Sequence, residues 1–195
     1  MKNIAVIVES RPEVDTQRII DEHLRYLPEW EVSHESPAIH NGHDYNRLLT
    51  GKDFWQRYAE YHRVLLFQHD SAILRYGIEE FLEYDYVGAP WRPDAPWGRA
   101  DRRGGNGGFS IRNPRMMLAV LNKFNYNESQ HGNEDVFFVH RLDRVGGNIA
   151  PLEVCSRFAC ETIFKLGTFG YHAVYNHVSE LEFKQITQQY DHVLG

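Results

Sequence analysis

The sequence predicts an α/β fold in which helices pack on a mixed, mostly parallel sheet. Short apolar runs typical of buried strands alternate along the chain with segments whose apolar residues recur at helical spacing. The chain has 195 residues, of which 42% are hydrophobic and 25% are charged. These proportions are those of ordinary folded domains. We therefore expect a single domain that spans residues 1–195.

The first part of the chain predicts two strands separated by a helix. Residues 4–8 form a short apolar run bounded by polar residues, which suits a fully buried strand. Ile20, Leu24 and Leu27 then recur at the spacing of one helix face. Residues 30–34 predict the second strand.

The middle of the chain predicts the centre of the sheet. Phe54, Tyr58 and Tyr61 recur at helical spacing, and the apolar run at residues 64–67 follows directly. This run predicts the central strand. Residues 85–90 predict a further strand, after a short helix.

The second half predicts one more strand and three helices. Residues 108–112 predict the strand. Asn113 and Pro114 are expected to begin the next helix, because Asn caps helix N-termini and Pro suits the first helical position. Asn133 is the expected N-cap of the following helix, and residues 152–160 predict another.

Charge and composition exclude several classes of protein. The net charge of −6 argues against general binding to nucleic acid or to anionic lipid. No apolar stretch approaches the roughly 18 residues that span a bilayer, and the N-terminus does not resemble a signal peptide. We therefore expect a cytoplasmic protein. Cys155 and Cys160 are expected to be reduced and buried.

A long segment at residues 91–108 has the composition of a functional loop. It is rich in Gly, Pro and Arg, and its glycines match neither nucleotide-binding fingerprint. Trp91 and Trp97 would stack on a ligand or simply pack in the core. Arg103 and its neighbours Arg99 and Arg102 would contact phosphate oxygens or pair with nearby acids.

Two polar segments follow the two most convincing strands. Ligands of open α/β sheets bind at the carboxyl ends of strands, so both segments are candidate binding residues. Asp70 would hold a divalent cation, or cap a helix beginning at Ser71. Arg11 would bind a phosphate or pair with a surface acid. The two segments are Glu9, Ser10 and Arg11, and Gln68, His69 and Asp70.

The order of several short motifs is more specific than any one of them. VESR, LLFQHDSAILR, FLEYDYVGAPW, GNGGFSIRNPRMM, NEDVFF and the closing RFACE and FGYH stand in this order between Val8 and His172. Together they resemble a domain-of-unknown-function family of glycosyltransferase type. The glycine-rich strand and the later Glu134-Asp135-Val136 are also similar to fringe-type and core β-1,3-galactosyltransferases.

The resemblance implies a fold, a reaction and a metal. The fold would be glycosyltransferase A, a Rossmann-like nucleotide-sugar domain, and the enzyme would move a sugar from a nucleoside-diphosphate sugar to an acceptor hydroxyl. The Asp-x-Asp motif of that fold holds Mn²⁺ or Mg²⁺. Here the tripeptide is Gln68-His69-Asp70, so only the last acid is present. Asp70 and His172 would be the metal ligands, completed by the diphosphate.

The resemblance also implies roles for other residues. Asp135 would be the general base of an inverting transfer, with Glu134 beside it. A UDP-sugar is the expected donor. The acceptor hydroxyl is not specified. Because little chain is left for an acceptor domain, either loops of this chain or a partner protein would select the acceptor. The expected donor-binding residues are Glu9, Ser10, Arg11, Gln68, Asp70, Arg103, Asn106, Gly107 and Gly108.

Two other functions remain open at this point. A degenerate metal motif is compatible with a catalytically inactive module that binds a nucleotide-sugar or a glycan. A metal-dependent phosphoesterase would require a second metal-binding acid near Asp70, which the sequence does not indicate.

Overall fold

The computed structural model describes residues 1–97 and 104–191, with side chains described through residue 188. Within these ranges, eight strands form two sheets. The main sheet has five strands in the order β2-β1-β3-β6-β5, and the smaller sheet has three in the order β4-β8-β7. The strands are β1 (Ile4–Val8), β2 (Glu31–Glu35), β3 (Val64–Phe67), β4 (Ser71–Ile73), β5 (Tyr86–Gly88), β6 (Phe109–Arg112), β7 (Ala159–Cys160) and β8 (Gly170–His172).

The main sheet is mixed, as predicted. Strand β1 pairs in parallel with both β2 and β3, whereas β6 pairs antiparallel with β3 and with β5. Parallel pairs are therefore half of the total and not the expected majority. Strands β5 and β6 are adjacent in the sheet, and the described part of the segment between them contains no helix. The chain therefore reverses between them, and β6 runs antiparallel to the other four strands of the main sheet.

Helices cover the sheets, and the described part of the chain also contains three short 3₁₀ turns. Among the described residues, no helix is both long enough and apolar enough to cross a membrane. The helices are α1 (Thr16–Leu24), α2 (Gly42–Leu49), α3 (Lys52–Arg57), α4 (Pro114–Lys123), α5 (Glu128–His131), α6 (Glu134–Val139), α7 (Leu152–Phe158) and α8 (Glu180–Asp191).

Alternation along β1 divides the core into two layers. Ala5 and Ile7 point into one apolar cluster, and Ile4, Val6 and Val8 point into the other. All five are buried, because both faces of a strand inside an α/β sheet are covered. The five-residue apolar run thus has the role that its composition predicts.

Several sequence-based alternatives are decided by packing. Trp91 is 7% exposed and belongs to the core cluster that contains Val6, so it packs in the core. Cys155 and Cys160 are buried free thiols, as predicted. Asp70 does not cap a helix, because the segment that begins at Ser71 is strand β4, which pairs with β8.

Candidate functional site

A cleft of about 410 Å³ lies where β1 and β3 end, between the start of α2 and the start of α6. The polar segments that follow these two strands both contribute side chains to its lining. Asp70 lines an adjoining cleft beside α1 and α8 instead, and Arg103 lies outside the described residues. The predicted residues that line the first cleft are Glu9, Ser10, Arg11, Gln68, Asn106, Gly107, Gly108, Glu134, Asp135 and His172.

Glu9 organises the turn after β1. One of its carboxylate oxygens accepts the backbone N–H groups of Ser10 and Arg11 at 3.0 and 2.9 Å and the Arg11 Nε–H at 2.8 Å. Hydrogen bonds from the Arg11 guanidinium hold the pKa of Glu9 at about 2, despite burial. Glu9 is therefore a buried anion that orients Arg11, and Arg11 is the half-exposed group at the cleft.

Arg11 also reaches the segment after β3. Its Nη2 lies 2.7 Å from Nδ1 of His69, which joins the ends of β1 and β3 through side chains. The Arg11 side chain remains 47% exposed. The guanidinium is thus held in place and still accessible from the cleft, which is the arrangement that favours binding of an anion.

His172, at the end of β8, is surrounded by three oxygen-bearing side chains. Its Nε2 lies 3.0 Å from Gln68 Oε1 and 3.3 Å from Asp70 Oδ1, and its Nδ1 lies 3.5 Å from Glu161 Oε1. Burial lowers the affinity of the imidazole for a proton, but the two carboxylates outweigh it and raise the pKa of His172 to about 9. Glu161 was not predicted as a site residue, although it ends the RFACE motif.

This group fits a divalent cation only in part. Among residues 1–97 and 104–191, no set of three or more His, Cys, Asp or Glu side chains could hold a metal ion. Asp70 Oδ1 is nevertheless buried without a hydrogen-bond partner and lies 3.3 Å from His172 Nε2. These donors suit an ion held chiefly by substrate phosphates, as Mg²⁺ commonly is.

Asp135 is a buried carboxylate at the first turn of α6. It is 7% exposed and lines the cleft. Its Oδ2 accepts the Gly107 N–H at 3.1 Å, and its Oδ1 accepts the Val136 N–H at 2.7 Å. Burial, together with the negative charge of Glu134, raises the pKa of Asp135 to about 7. A carboxylate in this state exchanges protons readily at neutral pH.

Glu134, the neighbouring acid, is committed to an ion pair. Arg112 donates from Nη2 to Glu134 Oε1 at 2.9 Å and from Nη1 to Oε2, and both side chains are almost fully buried. The guanidinium also lies 4.8 Å from the ring centre of Tyr86. Arg112 was not predicted, because it falls within a strand whose other residues indicate only burial. The pair gives Glu134 a structural role beside Asp135.

Gly107 and Gly108 let the loop before β6 pass between functional side chains. A Cβ atom on Gly108 would lie 2.2 Å from two ring atoms of His172, and one on Gly107 would lie 2.4 Å from Glu134 Oε1. Glycines clustered in this way favour a close approach of the backbone to a ligand or a tight turn. The structure shows a close approach to the protein's own site residues.

Helix α2, which the sequence analysis missed, holds the start of α6. The predicted N-cap of α6, Asn133, makes no side-chain capping bond. Asn46 of α2 supplies it instead, because its Oδ1 accepts the Glu134 N–H at 3.1 Å. The sequence does contain a capping signal for α2, because Asn at position 41 suits a helix N-cap. In the structure, Asn41 Oδ1 accepts the Asp44 N–H at 3.1 Å.

Comparison with known proteins places the chain in a family. A family model described as "Protein of unknown function (DUF5672)" matches residues 31–172. The chain belongs to this family. The match covers most of the chain and runs from β2 to the last residue of β8, His172. No curated protein matches the DUF5672 chain at a significant level.

Solved structures show the fold of this DUF5672 protein. Its fold is similar to that of a glycosyltransferase involved in the glycosylation of the major capsid of PBCV-1, with a TM-score of 0.59 and 12% identity over 97% of this chain and 98% of that one. A197 from STIV gives a TM-score of 0.45 and 17% identity over 76% and 80% of the two chains. The predicted α/β fold is thus confirmed as one that a glycosyltransferase shares.

Proposed function

We propose that this DUF5672 protein is a glycosyltransferase that moves a sugar from a nucleoside-diphosphate sugar, with UDP as the expected nucleotide, to an acceptor hydroxyl. The observation that carries the proposal is the cleft at the ends of β1 and β3. It contains Asp135, a buried carboxylate with a pKa of about 7, together with the oriented cation Arg11. The fold shared with a glycosyltransferase supports the same class of reaction.

The diphosphate is the leaving group, and its growing negative charge requires stabilisation. Arg11, fixed by Glu9 and His69, is the cation that would contact the phosphates. Asp70 and Gln68 would hold Mg²⁺ or Mn²⁺ together with the phosphate oxygens, and His172 would join them as a ligand on releasing its proton. When bound, the ion would neutralise charge on the leaving diphosphate.

Asp135 is the proposed general base. The acceptor oxygen would attack the anomeric carbon as the bond from that carbon to the diphosphate oxygen breaks, and the acceptor proton would pass to Asp135. With a single base, the acceptor attacks the anomeric carbon on the side opposite the leaving group. The configuration of that carbon is therefore inverted. The backbone N–H groups of Gly107 and Val136 hold both carboxylate oxygens, so the base is oriented before substrate binds.

Calorimetry tests the donor site. UDP, GDP, ADP, CDP and dTDP are each titrated with and without Mn²⁺, on the wild type and on Asp70→Asn. We expect at least one nucleotide, with UDP favoured, to bind below millimolar concentration. Mn²⁺ should strengthen binding to the wild type and much less to the variant. Absence of binding by all five contradicts the donor site, and an equal Mn²⁺ effect in both proteins contradicts the role of Asp70.

Product analysis tests the reaction. The donor that matches the tightest nucleotide is incubated with a mixture of methyl glycosides, and NMR reads the new anomeric signal. An inverted product supports Asp135 as the base. A retained product contradicts it. Nucleotide binding without transfer to any glycoside supports an inactive binding module instead.

A further inference from the structure

A second groove, also of about 410 Å³, adjoins the cleft across the first turn of α6. Asn133 lines both cavities. Helix α6 separates them, because Glu134 and Asp135 line the cleft whereas Val136 lines the groove. The residues that line the groove thus include Asn133 and Val136, which stand two residues before and one residue after the proposed base. The groove is lined by Pro96, Trp97, Gln130, His131, Gly132, Asn133, Val136, His140 and Arg141.

Trp97 is the largest apolar side chain in the described lining of this groove. Its side chain is 46% exposed, in contrast to Trp91, which is 7% exposed and packs in the core. The segment that carries Trp97 is attached to the end of α6, because the Trp97 carbonyl oxygen lies 3.1 Å from His140 Nε2. A partly exposed indole at a concave surface offers a broad apolar face to a ligand.

Polar groups flank the indole. His131 Nδ1 accepts the Asn127 N–H at 2.9 Å, so the neutral ring carries its proton on Nε2 and can donate from there. The Arg141 guanidinium lies 4.6 Å from the ring centre of Phe137, and its Nη1 donates to the Phe137 carbonyl at 3.3 Å. No carboxylate lies in the described lining of the groove. The groove thus combines an aromatic face with hydrogen-bond donors.

We propose that this groove binds the acceptor and that the acceptor is a sugar, whose pyranose ring stacks on Trp97. The ring's C–H face would cover the indole, and its hydroxyl groups would accept bonds from His131 and Gln130. A hydroxyl at the end near Asn133 would then face Asp135. This inference rests on the proposed function, because it assigns the acceptor of the same reaction.

Ligand-observed NMR tests the groove directly. Saturation transfer is measured to the methyl glycosides of glucose, galactose, mannose, xylose and N-acetylglucosamine, using the whole chain with UDP and Mn²⁺ present. We expect at least one glycoside to bind. Trp97→Ala should weaken that binding about tenfold or more, which corresponds to roughly 1.4 kcal/mol, and His131→Ala should weaken it less. Tyr76→Ala is the matched control, because Tyr76 is 59% exposed and lines neither cavity.

The outcomes separate this inference from the proposed function. If UDP binds but no glycoside binds, the acceptor groove is overturned and the donor site is left intact. The same holds if a glycoside binds and Trp97→Ala does not weaken its binding. Glycoside binding that depends on Trp97, in a protein that binds none of the five nucleotides, contradicts the transferase and retains a sugar site at Trp97. Equal losses in Trp97→Ala and Tyr76→Ala also overturn the proposal.

Discussion

Asp135 Oδ2 accepts the backbone N–H of Gly107 at 3.1 Å, and this bond joins the first turn of α6 to the loop before β6. The proposed base is therefore positioned by two segments that are distant in sequence. The same loop passes close to His172, so displacement of the loop would disturb both the base and the proposed metal ligands.

Replacement of Asp135 by Asn should abolish most of the turnover. Removal of a positioned general base costs about 10²- to 10⁴-fold, whereas the affinity for the nucleoside diphosphate should change little because the base acts on the acceptor. Steady-state kinetics and calorimetry measure the two effects. Asp53→Asn is the control: Asp53 is an exposed acid in the first turn of α3, and its loss should leave turnover unchanged. Full activity of Asp135→Asn would exclude Asp135 as the base.

The pH dependence should identify the same carboxylate. A general base must be ionised, so kcat/KM should rise about tenfold per pH unit at low pH and become level above the pKa of Asp135, about 7. The residual activity of Asp135→Asn should lack this rise. A wild-type profile that is already level between pH 5 and pH 7 would contradict the assignment.

Addition of one methyl group to Gly108 should disrupt the site. Its Cβ would lie 2.2 Å from ring atoms of His172, so the Ala variant must displace the imidazole or the loop. We expect calorimetry to show a loss of at least about tenfold in Mn²⁺-dependent UDP affinity. Gly42→Ala is the matched control, because Gly42 also lines the cleft but has open space around its Cβ position. Equal effects of the two substitutions would contradict the predicted contact.

The ion pair between Arg112 and Glu134 should matter chiefly for stability. Glu134→Gln leaves a buried guanidinium without its counter-charge, which costs about 3–5 kcal/mol. Urea unfolding at pH 7 measures this cost. The control is Glu153→Gln, which breaks an exposed pair with Arg157 and should cost less than about 1 kcal/mol. The double variant Arg112→Met/Glu134→Leu removes both charges and should therefore be more stable than Glu134→Gln. The reverse order would show that the cost of Glu134→Gln does not come from an unpaired buried charge.

Asn46 should affect turnover as well as stability. Asn46→Ala removes the acceptor for the Glu134 N–H and should cost about 1 kcal/mol. Because Asp135 follows directly in α6, turnover should also fall about tenfold or more. Asn113→Ala removes the corresponding cap of α4, away from the cleft, and should lower stability similarly without loss of turnover. Equal turnover in the two variants would show that α2 does not position the base.

Much of the fold could be predicted because local composition determines it. The apolar run of β3 and the cap of α4 by Asn113 both lie where the sequence places them. Strand β4 was missed: it has three residues, and it pairs with β8, which lies about a hundred residues further along the chain. A strand of this length forms through its partner, and the pairing leaves no periodic signal in the local sequence.

The sequence by itself determined which chemical groups follow the strands: Arg11 after β1, Gln68 and Asp70 after β3, and Asp135 at a helix start. Only the tertiary structure decided their partners and charge states. Pairing of β4 with β8 brings His172 to Asp70, and burial beside Glu134 raises the pKa of Asp135 to about 7. The physical reason is that a pKa depends on desolvation and on charges within a few ångströms, and distant segments become neighbours only when the chain folds.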